Sequence, residues 1–229
     1  MKTDPFFIKK YPKWYPQRLL FTLQARLVEK EAKFNFERYK LSEKILTNLP
    51  DSPEVDYQNT AVTPVQMQHL LAALSATEHL KDTVVVEVGS CRGVTTQTLA
   101  KATSKKLIAV DPFIGYGGFE EDYRLFVKNT SELPNVIHER KTSGEAARKW
   151  NYNSVGLIFI DALHDYVNTA FDIEIWSSLL VEGGMLAMHD TDQSCFAGTR
   201  KAAFEAFKSY GNVFAHPDNL TILQKPFIR

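Results

Sequence analysis

Apolar positions along this chain follow two rhythms that alternate. Short runs, apolar or β-branched but for Glu87, stand at 83–88, 107–110, 155–160 and 185–188. Runs of this kind suit strands buried on both faces of a parallel sheet. Between them, apolar residues recur every three or four positions, as in Val167, Phe171, Ile175 and Leu179, which predicts a helix packed along one side. The reading in order is strand 83–88, helix 93–102, strand 107–110, helix 119–129, strand 135–139, helix 144–150, strand 155–160 and a helix from 167. The pair Gly183-Gly184 is expected to end that helix before strand 185–188 and helix 199–210. Two last strands, 213–215 and 220–223, are separated by the turn-forming set His216, Pro217, Asp218 and Asn219.

Repeated strand–helix units imply a parallel sheet with helices on both faces. The final linker is too short for a crossover, so the last strand must run antiparallel to its neighbour. The expected fold is α/β: a doubly wound, seven-stranded, mostly parallel sheet closed by an antiparallel C-terminal strand. The first sixty residues read differently. Leu20, Leu23, Leu27 and Val28 lie near helical spacing, and Phe34, Phe36, Leu41 and Ile45 suggest a second amphipathic segment. Residues 1–60 are thus expected to form a helical cap and 61–229 the main domain. Residues 49–59 read as a loop. Thr63-Pro64 opens a helix, with Thr63 as cap, that turns Met67, Leu70, Leu71 and Leu74 inward.

Ligands of doubly wound sheets bind beyond the carboxyl ends of the strands, and this chain collects its chemistry there. The first strand runs into Glu87-Val88-Gly89-Ser90-Cys91-Arg92-Gly93, the second ends in Asp111, the fourth in Asp161 followed by His164, and the fifth in His189-Asp190. Gly89 lets the chain turn sharply out of its strand, and Gly93 starts a helix close to a ligand. Asp111 can accept from two ribose hydroxyls. Glu87 stands where a carboxylate can approach the positive end of a sulfonium cofactor. The third glycine of the dinucleotide fingerprint and the Gly-Lys-Ser/Thr of a phosphate loop are both missing. His164 and His189 follow strand ends as candidate general bases. Cys91 reads as a packing residue, and 112–118, with three glycines, as either a lid over the cofactor or a flexible surface loop.

The stretch 84–100 resembles the first motif of class I S-adenosylmethionine-dependent methyltransferases. Residues 157–166, Glu182-Gly183-Gly184 and His189-Asp190-Thr191 are similar to a subgroup of small-molecule O-methyltransferases. The resemblance covers about residues 60–210 and implies a Rossmann-like methyltransferase fold. It implies that Glu87, Gly89, Ser90, Arg92 and Gly93 hold the methionine part of S-adenosylmethionine and Asp111 the ribose. It places Phe113 on the adenine edge and Ser143 near the adenine amine. Asp161 and Asp190 match positions that bind a divalent cation, for which Mg²⁺ suits two carboxylates and waters. Asp161, His164 and His189 are then the catalytic candidates. The implied acceptor is a hydroxyl on a sugar, a glycan precursor or a natural product.

Charge and composition narrow the classes. The net charge is zero, which speaks against a nucleic-acid partner. No apolar run approaches the roughly 18 residues of a membrane span, so no membrane partner is expected. Two cysteines and no signal-peptide pattern suit a cytoplasmic protein. The first fifty residues nonetheless hold eleven Lys and Arg against five acids, interleaved with Phe6, Phe7, Tyr11, Trp14 and Tyr15. RNA methylation therefore stays open, as do a nicotinamide-dependent oxidoreductase on a similar sheet and a binding protein without catalysis. The helical cap is a candidate lid or homodimer interface.

Overall fold

The computed structural model describes Pro5 and residues 15–51, 54–115 and 118–227. The aromatic and basic positions before Tyr15 lie outside the described residues, as do Tyr116 and Gly117 at the centre of the expected lid. Among those described, seven strands form one sheet in the order β3-β2-β1-β4-β5-β7-β6. They are β1 (Thr83–Val88), β2 (Leu107–Val110), β3 (Val136–Glu139), β4 (Ser154–Ile160), β5 (Leu180–Met188), β6 (Val213–Ala215) and β7 (Thr221–Gln224). The first five pair in parallel, and β7 lies antiparallel between β5 and β6.

The helices are α1 (Tyr15–Phe34), α2 (Pro64–Thr77), α3 (Val94–Lys101), α4 (Glu120–Thr130), α5 (Ser143–Arg148), α6 (Tyr166–Ser177) and α7 (Ala197–Tyr210). Alternation along β1 divides the core. Val85 joins Met67, Leu70, Leu99 and Phe126 on one face, while Val84, Val86 and Val88 join Trp176 and Ala203 on the other. All six residues of β1 are buried, which is why its sequence is continuous rather than alternating. The Thr63 cap forms as expected. Its hydroxyl accepts the Gln66 N–H, and the Gln66 side chain accepts the Thr63 N–H at 2.9 Å.

Two expectations are corrected. The second N-terminal amphipathic helix does not form. After α1 the chain makes one 3₁₀ turn, Phe36–Tyr39, and then runs extended until Lys44 bridges His216. Tertiary contacts win over periodicity here: Arg200 stacks 3.7 Å over the Phe36 ring, and Tyr39 meets Phe204 edge-on at 5.7 Å. The other correction concerns Gly183-Gly184, which interrupts no helix. α6 has already ended at Ser177, and β5 runs through both glycines, held by Gly183 N–H to Lys225 O at 2.9 Å and Lys225 N–H to Gly184 O at 2.8 Å.

α1 is tied to the main body by a carboxylate. Glu29 accepts the N–H groups of Ala197 and Gly198, at 3.0 and 2.8 Å, at the start of α7. These donors have no partner inside their own helix, and the helix dipole favours a negative charge there.

Candidate active site

A cleft of about 700 Å³ opens at the carboxyl ends of β1, β2 and β4. Its floor is the turn from β1 into α3. Gly89 sits at φ +91°, and a Cβ there would fall 2.0 Å from the Asp161 carbonyl oxygen, so only glycine fits. Gly93 caps α3 at φ +74°. Ser90 and Arg92 also line the cleft. The Ser90 hydroxyl is buried without a hydrogen-bond partner in the protein, and such a group calls for a ligand. Arg92 spans the cleft wall, donating to Asp122 at 2.8 Å and to Asn59 at 2.7 Å.

Glu87 and Asp111 face this space together. Glu87 is buried and accepts the Thr96 hydroxyl. Burial pushes its carboxyl up to about 8, against the Thr96 hydrogen bond and with help from Asp161 and Asp111. A cation beside it would relieve that cost. Asp111 accepts the Cys91 N–H at 3.0 Å and the Phe113 N–H at 2.9 Å, one on each oxygen. Each oxygen keeps a second acceptor direction for a diol. Burial raises its carboxyl too. Cys91, with φ 43°, gives its N–H to Asp111, and burial pushes its thiol up to about 11, which leaves it inert.

Across β1 from Asp111, beyond the end of β4, stand Asp161 and His164. The His164 Nε2 lies 3.8 Å from Asp161 Oδ1 and 3.3 Å from Asp190 Oδ2. One ligand atom from each of these three residues lies within 4.8 Å of the others, a set able to hold a metal ion. Behind them, His189 Nδ1 is 3.3 Å from Asp161 Oδ1 and 3.6 Å from Asp190 Oδ2. Burial disfavours its charge, but the two carboxylates outweigh that and hold it up to about 10. Burial alone would raise Asp161, yet His189 and His164 bring it below the usual carboxylate value.

Three sequence expectations change in this geometry. His189 is buried and does not line the cleft. Its Nε2 meets Gln66 Oε1 at 3.1 Å and its Nδ1 faces Asp161 and Asp190, a place from which it positions carboxylates rather than meets an acceptor in the cleft. Phe113 turns away from the cleft into a cluster with Tyr123, Phe126 and His138, and Phe119 presents a ring to the cleft instead. The Ser143 hydroxyl lines the cleft but is already engaged, donating to Asp172 and accepting Trp176 Nε1–H at 2.8 Å. Sequence reasoning missed Gln58, Asn59, Thr60 and Ala61, which line the cleft from the loop before α2, and Asn168 from α6. Nothing in their local pattern signals a site. Only the tertiary path of the loop brings them in.

Residues 86–191 match the sequence family described as a methyltransferase domain. No curated protein matches the chain by sequence. Among solved structures, an O-methyltransferase from Bacillus cereus in complex with SAH superposes with a TM-score of 0.56 at 15% identity, over 86% of this chain and 90% of that one. The O-methyltransferase NovP superposes at 0.57 with 13% identity, over 90% and 99%. Residues 86–191 of this chain thus form a methyltransferase domain. An rRNA methylase from Streptococcus thermophilus shares the fold as well, at a TM-score of 0.53 and 20% identity over 70% of this chain and 96% of that one. The methyltransferase fold therefore serves unlike acceptors, and the acceptor must be argued from the site.

Proposed function

We propose that this methyltransferase transfers the methyl group of S-adenosylmethionine to a hydroxyl of a small molecule, such as a sugar, a glycan precursor or a natural product. The observation that carries the reading is one cleft that brings Asp111 beyond β2 and Asp161 and His164 beyond β4 to either side of Glu87 on β1. The O-methyltransferases among its structural neighbours support the choice of a hydroxyl. The cofactor supplies a methyl group made electrophilic by its sulfonium. Asp111 accepts from the ribose diol, Ser90 and the N–H groups of the β1 turn receive the methionine part, and Glu87 balances positive charge. Much of the rate comes from holding two reactants in line, which the rigid β1 and β4 termini provide.

Asp161, His164 and Asp190 fit a divalent cation. Two carboxylates with waters suit Mg²⁺, and the imidazole extends the choice to first-row transition ions. Such an ion supplies a lowered pKa to a bound hydroxyl. His164 lies at the cleft, unlike His189, and takes the acceptor proton where no ion engages its Nε2. Asp161 orients whichever group does so. The reaction is expected on the cytoplasmic side, in keeping with Cys91 and Cys195, which form no disulfide.

Calorimetric titration with S-adenosylhomocysteine and with NAD tests the cofactor half of this reading. Binding of the thioether, weakened at least tenfold in Asp111→Ala, is expected. Binding of NAD with no response to the thioether would replace a methyltransferase with an oxidoreductase.

A further inference from the structure

α1 carries more apolar surface than packing on its own domain uses. An amphipathic helix normally buries its large apolar side chains and shows its charges. Here the inward face holds the buried Ala32, the half-buried Phe21, Ala25 and Val28 and the Glu29 clamp, whereas Leu19, Leu20, Leu23, Leu27 and Phe34 are exposed, at 48% or more each. At the helical repeat, Leu20, Leu23, Leu27 and Phe34 fall within an arc of about 60°. Exposed side chains on that scale form an apolar patch of several hundred Å², the size that marks an interaction surface.

The charges say what kind of surface. Both acids of α1 are already engaged: Glu29 caps α7, and Glu31, at the other border of the apolar arc, accepts from Tyr39 and Asn35 and pairs with Lys201. The exposed Arg26, Lys30 and Lys33 follow one border of the apolar arc. The first fifty residues hold eleven basic against five acidic residues, and the remainder sixteen against twenty-two, so the neutral chain is a basic end on an acidic body. A second copy docked antiparallel on this face would set the basic border beside its own image, like charge against like. A surface that is apolar just below and anionic on top meets both features at once, as interfacial helices do.

We infer that α1 lies on an anionic lipid bilayer, with Leu20, Leu23, Leu27 and Phe34 entering the acyl boundary and Arg26, Lys30 and Lys33 meeting the headgroups. The lack of a membrane-crossing helix among the described residues has no bearing on a helix lying in the interface plane. The same helix is clamped through Glu29 to the start of α7, next to Phe196, whose ring is 4.8 Å from that of His164.

The inference does not rest on the acceptor and is tested without activity. The full-length protein is floated with phosphatidylcholine vesicles and with vesicles that also contain phosphatidylglycerol, while its mass in solution is followed by sedimentation. Flotation with the anionic vesicles only, weakened by salt and about fivefold for each of Arg26, Lys30 and Lys33 replaced by Gln, is the expected result. Leu23→Glu with Leu27→Glu should abolish flotation and keep S-adenosylhomocysteine binding, which shows the fold intact; if that pair unfolds, the single Lys30→Gln still reads the charge dependence. Failure to float with either vesicle, equal flotation with both, or a solution dimer broken by the double substitution without vesicle binding would each overturn it.

Discussion

Glu87 is asked for opposite charges by its surroundings and by its ligand. Burial holds it near pKa 8, against an ordinary value of 4.5. A raised carboxyl stabilises the fold fully below about pH 4.5, loses that contribution as pH climbs to about 8, and adds nothing above. A sulfonium beside it prefers the carboxylate, so binding below pH 8 must expel a proton. The affinity for S-adenosylmethionine, relative to the uncharged thioether, should rise by up to about tenfold per pH unit and level off near pH 8. Calorimetry in two buffers of different ionisation enthalpy would register the proton. Glu87→Gln should flatten the curve, and a wild-type ratio indifferent to pH would refute the pairing. The metal set is predicted at the same scale. Chelator-treated protein given Mg²⁺ or Mn²⁺ should melt several degrees higher, and Asp161→Asn or Asp190→Asn should not. Residue-level reading brought these positions together in space because strand ends converge in every doubly wound sheet. It failed for Phe113 and His189, because which way a side chain turns at a strand end depends on neighbours far away in sequence.

Among elements, legibility tracks how much a segment's own pattern decides. β1, β2 and β6 lie where the apolar runs place them, since short runs rich in β-branched, aliphatic or aromatic residues suit a strand. The segment after Phe34 was misread because Phe36 and Tyr39 are held by Arg200 and Phe204 rather than by a helix. α2 shows how a legible cap gains a second job. Gln66 closes the box with Thr63, meets His189 at 3.1 Å, and donates to Asn219, which in turn donates to Asp190 Oδ1 at 2.8 Å. Thr63→Ala loses only the cap and should cost about 1 kcal/mol. Gln66→Ala leaves buried partners unpaired as well and should cost about 2–4 kcal/mol. For a chain of this length each kcal/mol lowers the melting temperature by about 2–4 °C, so the two variants separate in a thermal melt. Equal losses would mean the network behind the carboxylates adds nothing.

At the scale of the whole molecule, the missed residues before α2 share one cause. The loop 58–61 and the clamp at Glu29 reach the cleft and α7 only because the N-terminal segments wrap a finished sheet, and no local pattern encodes that route. The clamp makes a prediction that divides the two ends of the cleft. Glu29 satisfies two N–H groups at the start of α7, and the chain just before them carries Phe196 against His164. The cofactor end is built by β1, β2 and α3, none of which Glu29 touches through these bonds. Glu29→Ala should therefore lower stability by about 1–2 kcal/mol, the range for a lost helix cap, and shift the melt by a few degrees. Its affinity for S-adenosylhomocysteine should remain that of the native protein, while the NMR signals of the His164 ring move as Phe196 loosens. A parallel loss of thioether binding would show instead that α1 supports the cleft as a whole, and the helix would then be part of the domain rather than a device at its acceptor end.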